Sequence, residues 1–273
     1  MTTVVAVADH SGRQARLVAA LSLAFRTVGL NIAPRTQREL AAEVSIWQST
    51  GRRPVVDPDR PLLWLSPADR SRSDAPEDRF LSSEAHSAAR SVATLTCSPV
   101  LNRPSAVSLC GAFPSGRPGT VRSARRHDAE AGVRAERFTG SWWPNETDTG
   151  PLEVWDYATG RSSYGFAASS CGPFRQRPAL GSAGLVKVRV VGDQTVADAP
   201  DLGPDIRAAS CRITAGYQLD MATFWWLVGP GEQERTLARV DCWLWDAEAG
   251  PGFATLAEAV AAWMGDRLVG DAL

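Results

Sequence analysis

The chain has 273 residues and a formal net charge of -1, from 29 Lys+Arg against 30 Asp+Glu. That length can bury a core without covalent staples, and 44% hydrophobic with 22% charged residues excludes wholesale disorder. Near-neutral charge excludes a global electrostatic footprint for nucleic acid or an anionic membrane, and Lys187, the single lysine, excludes any chemistry needing two.

Thr3–Ala8 is an apolar run that predicts a buried strand, followed by a turn, Asp9-His-Ser-Gly12, with helix N-cap chemistry. Leu17, Ala20, Leu21, Ala24, Phe25 and Val28 recur at helical spacing, Gly29 stops the helix, and Leu30–Ala33 reads as a second strand. This β-α-β start predicts an open α/β layer. The turn after the first strand lacks GxGxxG, so no dinucleotide fingerprint is present, and Asp9 and His10 are assigned to turn and capping duty. Pro61–Ser66 is a third strand. A polar loop over Pro67–Asp78 leads to a helix from about Phe80 to Leu95, which carries Ser83, Glu84, His86 and Arg90. Cys97–Ser105 reads as a short strand ending in a proline turn, and Ala106–Ala112 as a small helix.

From 114 to 183 the texture changes to Gly, Pro, Ser and Arg, with strand-like pieces at Glu153–Tyr157 and Ser163–Ala167. Trp142, Trp143 and Trp155 are many aromatics for so polar a stretch. They read either as the core of a small β-rich insert or, with Tyr157, as a docking surface for a peptide or partner. Beyond it, Leu185–Val191 and Gln194–Asp198 form a hairpin through Gly192-Asp193, and a polar loop leads to Cys211–Ala215. Met221–Val228 pairs through Gly229-Pro-Gly231 with Thr236–Trp243. The rings of Trp225 and Trp226 therefore point to opposite faces of that sheet. A last helix from about Phe253 to Val269 shows an apolar stripe at Leu256, Val260, Trp263 and Met264. Three segments follow: 1–113, an α/β domain; 114–183, a reduced central insert; and 184–273, an antiparallel sheet with a final helix.

Metal and nucleophile signatures are few. Cys97, Cys110, Cys171, Cys211 and Cys242 form no CxxC pair and read as reduced thiols of a cytoplasmic protein; His10, His86 and His127 are far apart, so no zinc site is expected. No GxSxG nucleophile elbow occurs, and Cys171 reads as a structural thiol. Glu39, Glu43 and Glu84 read as solvated helix faces. No apolar run approaches 18 residues, and the first ten residues lack the basic start of a signal peptide.

The order of these pieces resembles the ATP-grasp superfamily, in particular its compact branch of graspetide-type macrocyclising ligases and ribosomal-protein glutamate ligases. Three stretches carry the resemblance. The first is Leu62-Leu-Trp-Leu-Ser66, Arg79-Phe-Leu-Ser-Ser-Glu84 and Pro99-Val-Leu-Asn-Arg-Pro-Ser105, similar to the series ahead of the family's ATP-binding part. The second is Gln176 followed by Leu185-Val-Lys-Val-Arg-Val-Val-Gly-Asp193, similar to its Gln and hairpin. The third is Leu237-Ala-Arg-Val-Asp-Cys-Trp243, where the family has its metal-binding strand.

The resemblance implies an ATP-grasp-like α/β (α+β) fold and acyl-phosphate chemistry, which needs cations over the triphosphate and oxygen ligands for Mg²⁺. It implies nucleotide contacts at Lys187, Arg189 and Gln176 and metal contacts at Asp241 and Asp220. This chain departs from the pattern: residues 114–183 contain no lysine, Lys187 stands at the hairpin's arginine position, and Arg239 and Asp241 stand at the metal strand's Glu and Asn positions. The expectation is a non-catalytic recognition or partner protein in a peptide-modification pathway. It would bind a precursor or leader peptide, or a modifying-enzyme subunit, with no cofactor. The alternatives are an active, divergent carboxylate–amine ligase using ATP with Mg²⁺, and an α/β binding protein outside the family.

Overall fold

The computed structural model describes residues 1–8, 12–65, 75–105, 134–135, 139–141, 152–156, 161–165, 174–178, 185–197, 203–228, 235–242 and 252–270. The expected small helix at 106–112, residues Asp9, His10, Trp142, Trp143, Tyr157, Cys110 and Cys171, and the 229–231 turn lie outside them.

The first segment is the expected open layer. Strands β1 (Thr3–Val7), β2 (Asn31–Arg35), β5 (Leu62–Trp64) and β6 (Val100–Leu101) form a parallel sheet in the order β2-β1-β5-β6. Both of its faces are covered at β1 and β5, which is why those two strands read as nearly continuous apolar runs. Val4 and Ala6 face helix α1 (Gly12–Thr27) through Leu17, Leu21 and Phe25. Val5, Val7, Leu62 and Trp64 face α2 (Gln37–Glu43) and α3 (Pro76–Leu95) through Leu40, Ala89, Val92 and Ala93.

Helix α2 opens with a capping box: Thr36 Oγ1 accepts from Glu39 N at 3.1 Å, and Thr36 N donates to the Glu39 carboxylate at 2.7 Å. Glu39 is thus a cap, and Glu43 pairs with Arg35 at 2.5 Å and Arg60 at 3.6 Å, so neither is the plain solvated face its position suggested. Strands β3 (Ser45–Trp47) and β4 (Val55–Asp57) add a small antiparallel ribbon after α2.

In the central segment β7 (Arg134–Ala135) is followed by a four-stranded sheet of β8 (Thr139–Ser141), β9 (Leu152–Asp156), β10 (Arg161–Gly165) and β11 (Phe174–Pro178), in the order β10-β9-β11-β8. The C-terminal sheet has the order β13-β12-β14-β15-β7, with β12 (Leu185–Val191), β13 (Gln194–Ala197), β14 (Met221–Val228) and β15 (Arg235–Asp241). It is antiparallel except for β7, which adds a parallel edge from the preceding segment.

Two further helices complete the described fold. The segment expected as a polar loop before Cys211 is instead helix α4 (Pro204–Gly216), started by Pro204 at its first turn and buried through Ile206, Ala209 and Ile213. The final helix, α5 (Phe253–Gly270), buries Leu256, Val260 and Met264. These three residues join one core with Leu21 and Phe25 of α1 and with Val191, Val196 and Met221 of the C-terminal sheet. The first and last segments therefore share a core.

Asn102, in the proline turn after β6, locks this junction. It is 1% exposed and adopts φ 58, a left-handed conformation that asparagine tolerates better than most side chains. Its amide nitrogen donates to Met221 O at 2.9 Å and Cys242 O at 2.7 Å, and its oxygen accepts from Asp220 N at 3.0 Å and Met221 N at 2.8 Å. Two donors and two acceptances use the full capacity of the amide group.

Candidate functional site on the C-terminal sheet

Strand alternation divides β12, β14 and β15 into two chemistries. Val188, Val190, Ala222, Phe224, Trp226, Leu237 and Val240 pack with Ile206, Ala209 and Ile213 of α4. The opposite face carries Lys187, Arg189, Thr223, Trp225, Arg239 and Asp241. Register places them in two rows: Lys187 opposite Trp225 opposite Arg239, and Arg189 opposite Thr223 opposite Asp241. A bulge between Trp225 and Trp226 keeps Leu237 on the α4 face and Arg239 on the other.

In the first row two cations bracket one ring. Lys187 Nζ lies 5.4 Å from the Trp225 ring centroid, and the Arg239 guanidinium carbon 4.3 Å from it. Arg239 also donates to Asp241 Oδ2 at 2.8 Å, the two side chains being neighbours on one face of β15. Arg189 is 3% exposed and Trp225 7% exposed, whereas Arg239 keeps 23% of its side-chain surface in solvent. Charge here sits largely out of water.

The donor set does not fit Mg²⁺. That ion takes six oxygen ligands in strict octahedral geometry. The described residues of this face offer one carboxylate, Asp241, and it is bonded to Arg239. Asp220, the other metal candidate, lies just before β14 and is engaged elsewhere. It accepts from Asn102 N at 3.3 Å and lies 3.9 Å from Arg267. Burial raises its carboxyl above the ordinary range, against the lowering effects of Asn102 N, Arg267 and Arg103. No group of three His, Cys, Asp or Glu side chains that could hold a metal occurs among the described residues.

The remaining candidates are dispersed. Gln176 lies in β11, paired with Val154 and Thr139, and Trp155 lies in β9 between Ser162 and Arg175, so both belong to the central sheet. His86 is half-buried, with Nδ1 3.3 Å from Gln37 Oε1 and its ring edge-on to Trp64 at 6.3 Å. Burial, then Arg90, lowers its pKa. No local sequence pattern encodes the Trp225 bracket or the Asn102 lock. The first requires the three-strand register, and the second joins residues 118 to 140 positions apart. No helix among the described residues is long and apolar enough to cross a membrane.

No family model matches the chain. No curated protein matches it either. Solved structures do. Macrocyclase MdnC bound with precursor peptide MdnA from Microcystis aeruginosa MRC superposes with a TM-score of 0.70 at 12% identity, covering 97% of this chain and 100% of that one. A Chryseobacterium gregarium RiPP-associated ATP-grasp ligase, in complex with ADP and a leader and core peptide, gives 0.66 at 10% identity over 97% of each chain. A RimK domain ATP-grasp protein from Sphaerobacter thermophilus DSM 20745 gives 0.55 at 14% identity over 98% and 100%. The α/β layer, central sheet and C-terminal antiparallel sheet are thus those of the ATP-grasp fold. Within it, this chain has the compact architecture shared by RiPP-associated ligases and a RimK-like protein.

Proposed function

We propose that this chain is a non-catalytic ATP-grasp-like protein of a ribosomal-peptide modification pathway, which recognises a precursor peptide or the enzyme that modifies it. One observation carries the reading: at the strand position where the resemblance implies a metal-binding carboxylate stands Arg239, bonded to Asp241 at 2.8 Å. A guanidinium there repels Mg²⁺ and consumes the neighbouring carboxylate, so the metal-assisted phosphoryl transfer of a ligase lacks its electrostatic basis. The peptide half of the reading is supported by the fold neighbours, several of which were solved with precursor peptides. Trp142, Trp143, Trp155 and Tyr157 are its proposed peptide contacts.

The test incubates the purified chain with MgATP and synthetic peptides encoded beside its gene. Binding is followed by anisotropy without nucleotide, and products by mass spectrometry. The expected result is binding with unchanged peptide mass, weakened in Trp155→Ala. Loss of water from the peptide with release of ADP would establish the second reading, an active divergent ligase, which the sheet-facing Lys187 and Arg189 favour. Absence of binding to every such peptide or to the neighbouring modifying enzymes would overturn the recognition role.

A further inference from the structure

We infer that the outer edge of β3 is a pairing surface for a second copy of this chain. Two β3–β4 ribbons would join edge to edge about a two-fold axis into one four-stranded antiparallel sheet. The inference goes beyond the proposed function and does not depend on it.

The two edges of the ribbon differ. Strand β4 is flanked by Pro54 and Pro58, which offer no N–H, and its Val56 packs in one core with Leu40, Val92 and Ala93. Strand β3 has no such protection. Among the described strands it pairs with β4 alone. Every residue from Ser45 to Thr50 is exposed, and the stretch Val44–Gly51 contains no proline and no ionisable side chain. Edge strands are ordinarily blunted by charge or proline, and one left apolar and bare is a template for another strand. A two-stranded ribbon also gains stability from added strands.

Charge and register select the occupant. A neutral edge offers nothing to a highly charged partner, whereas it meets itself without repulsion. With Ile46 opposite the partner's Ile46, antiparallel pairing sets Ser45 of each copy opposite Trp47 of the other, and Val44 opposite Gln48. The two Trp47 rings, each 55% exposed, then share one face at diagonal positions about 7–8 Å apart, within reach of aromatic side chains. Ile46, 40% exposed, is covered by its own counterpart. The same arrangement lays the loop end of one ribbon, with exposed Arg52 and Arg53, beside the root of the other. That root carries exposed Asp57 and Glu43, the latter shared with Arg35 and Arg60. Parallel pairing would instead set the arginine-bearing loops against each other. About five residues a side is well short of the 20–30 of a standard interface, so the dimer is reversible, with a dissociation constant on the order of 100 µM.

Sedimentation equilibrium of the full chain from about 5 to 500 µM reads the association. A monomer–dimer equilibrium is expected, weakened at least about tenfold in Trp47→Lys, which removes the ring and sets like charges on the diagonal. Ser45→Lys, at the position facing the partner's Trp47, repeats the test if Trp47→Lys fails to fold. Cross-linking reads the register in a Cys97→Ser background, because Cys97 is an exposed thiol. Ile46→Cys would meet itself at a Cα separation of about 4.5–5.5 Å and should close a disulfide on mild oxidation. Ser49→Cys, which faces the partner's Glu43, should stay at the background level. A chain that remains monomeric throughout, a dimer unweakened in the folded lysine variant, or cross-linking of Ile46→Cys no greater than that of Ser49→Cys would each overturn the inference. Association that appears only with a modifying enzyme encoded beside the gene, and is lost in Trp47→Lys, would assign the edge to that protein and overturn it as well.

Discussion

The two faces of the C-terminal sheet are built from alternate residues of the same three strands, and they solve opposite problems. On one, Phe224 and Trp226 stack at 6.5 Å between centroids and are sealed beneath α4. On the other, Trp225 is almost as buried, but its neighbours are Lys187 and Arg239. The α4 face gains its stability from removing apolar surface from water. The other face gives some of that up to hold charges that carry no advantage for packing alone, because desolvating them costs free energy that hydrophobic residues of the same volume would not. Adjacent tryptophans of one strand thus differ in what they are for.

Truncation should expose that difference directly. Trp226→Ala removes the largest fully buried side chain among the described residues and leaves a cavity beneath helix α4, so it should cost about 4 kcal/mol in chemical denaturation. Trp225→Ala should cost about 2 kcal/mol, since water can enter and rehydrate the Lys187 and Arg239 heads once the ring is gone. Equal losses would mean that both faces are core alike.

Much of this sheet is legible in the sequence. Leu185–Val191 and Gln194–Ala197 announce their hairpin through alternation and Gly192-Asp193, and period-2 geometry alone separates Trp225 from Trp226. Arg239 and Asp241 are two apart on a strand, so their shared face is also legible. Helix α4 is hard to read because Asp201 to Ala208 is mostly polar. Its buried stripe of Ile206, Ala209 and Ile213 is thin, and the signal that would have found it is Pro204 at a first helical position. Asn102 was placed in its turn, but its four partners come from strands far along the chain, and no local pattern encodes them.

That bridge offers the next test, because it joins the strand ends at which the two faces meet. Asn102→Ala leaves two amides and two carbonyls short of their partners in a buried site and empties an αL position, for an expected loss of about 3 kcal/mol. Asn102→Asp keeps the acceptor and, while protonated, one of the two donors; ionised, it has none. It should fall between Asn102→Ala and the parent at low pH, and worsen as its buried carboxyl ionises. A loss below about 1 kcal/mol for Asn102→Ala would show that the shared core of α1 and α5 joins the segments without it.

Gly192 and Ser210 probe one side each at smaller scale. Gly192 has φ 60, and a Cβ there would lie 3.2 Å from Trp263 Cδ1, so Gly192→Ala combines backbone strain with a tight contact and should cost about 1–2 kcal/mol. Ser210 Oγ accepts from the Trp226 indole N–H at 3.1 Å beneath α4 while donating to Ile206 O. Removing it in Ser210→Ala leaves that N–H buried and unpaired, for about 1 kcal/mol.

The smallest effect has a pH signature of its own. Burial holds the Asp220 carboxyl above its ordinary value of 3.8. The folded state therefore binds this proton more tightly than the unfolded chain does. The group's contribution is most favourable at low pH and is lost as pH rises through the raised folded value. Asp220→Asn keeps an acceptor for Asn102 N and removes the charge, while giving up the 3.9 Å pair with the mostly exposed Arg267, which contributes little. Stability relative to the parent should therefore be near zero in acid and rise slightly toward neutral pH, by less than about 1 kcal/mol. A loss of stability at neutral pH would instead make the Arg267 pair a structural contact.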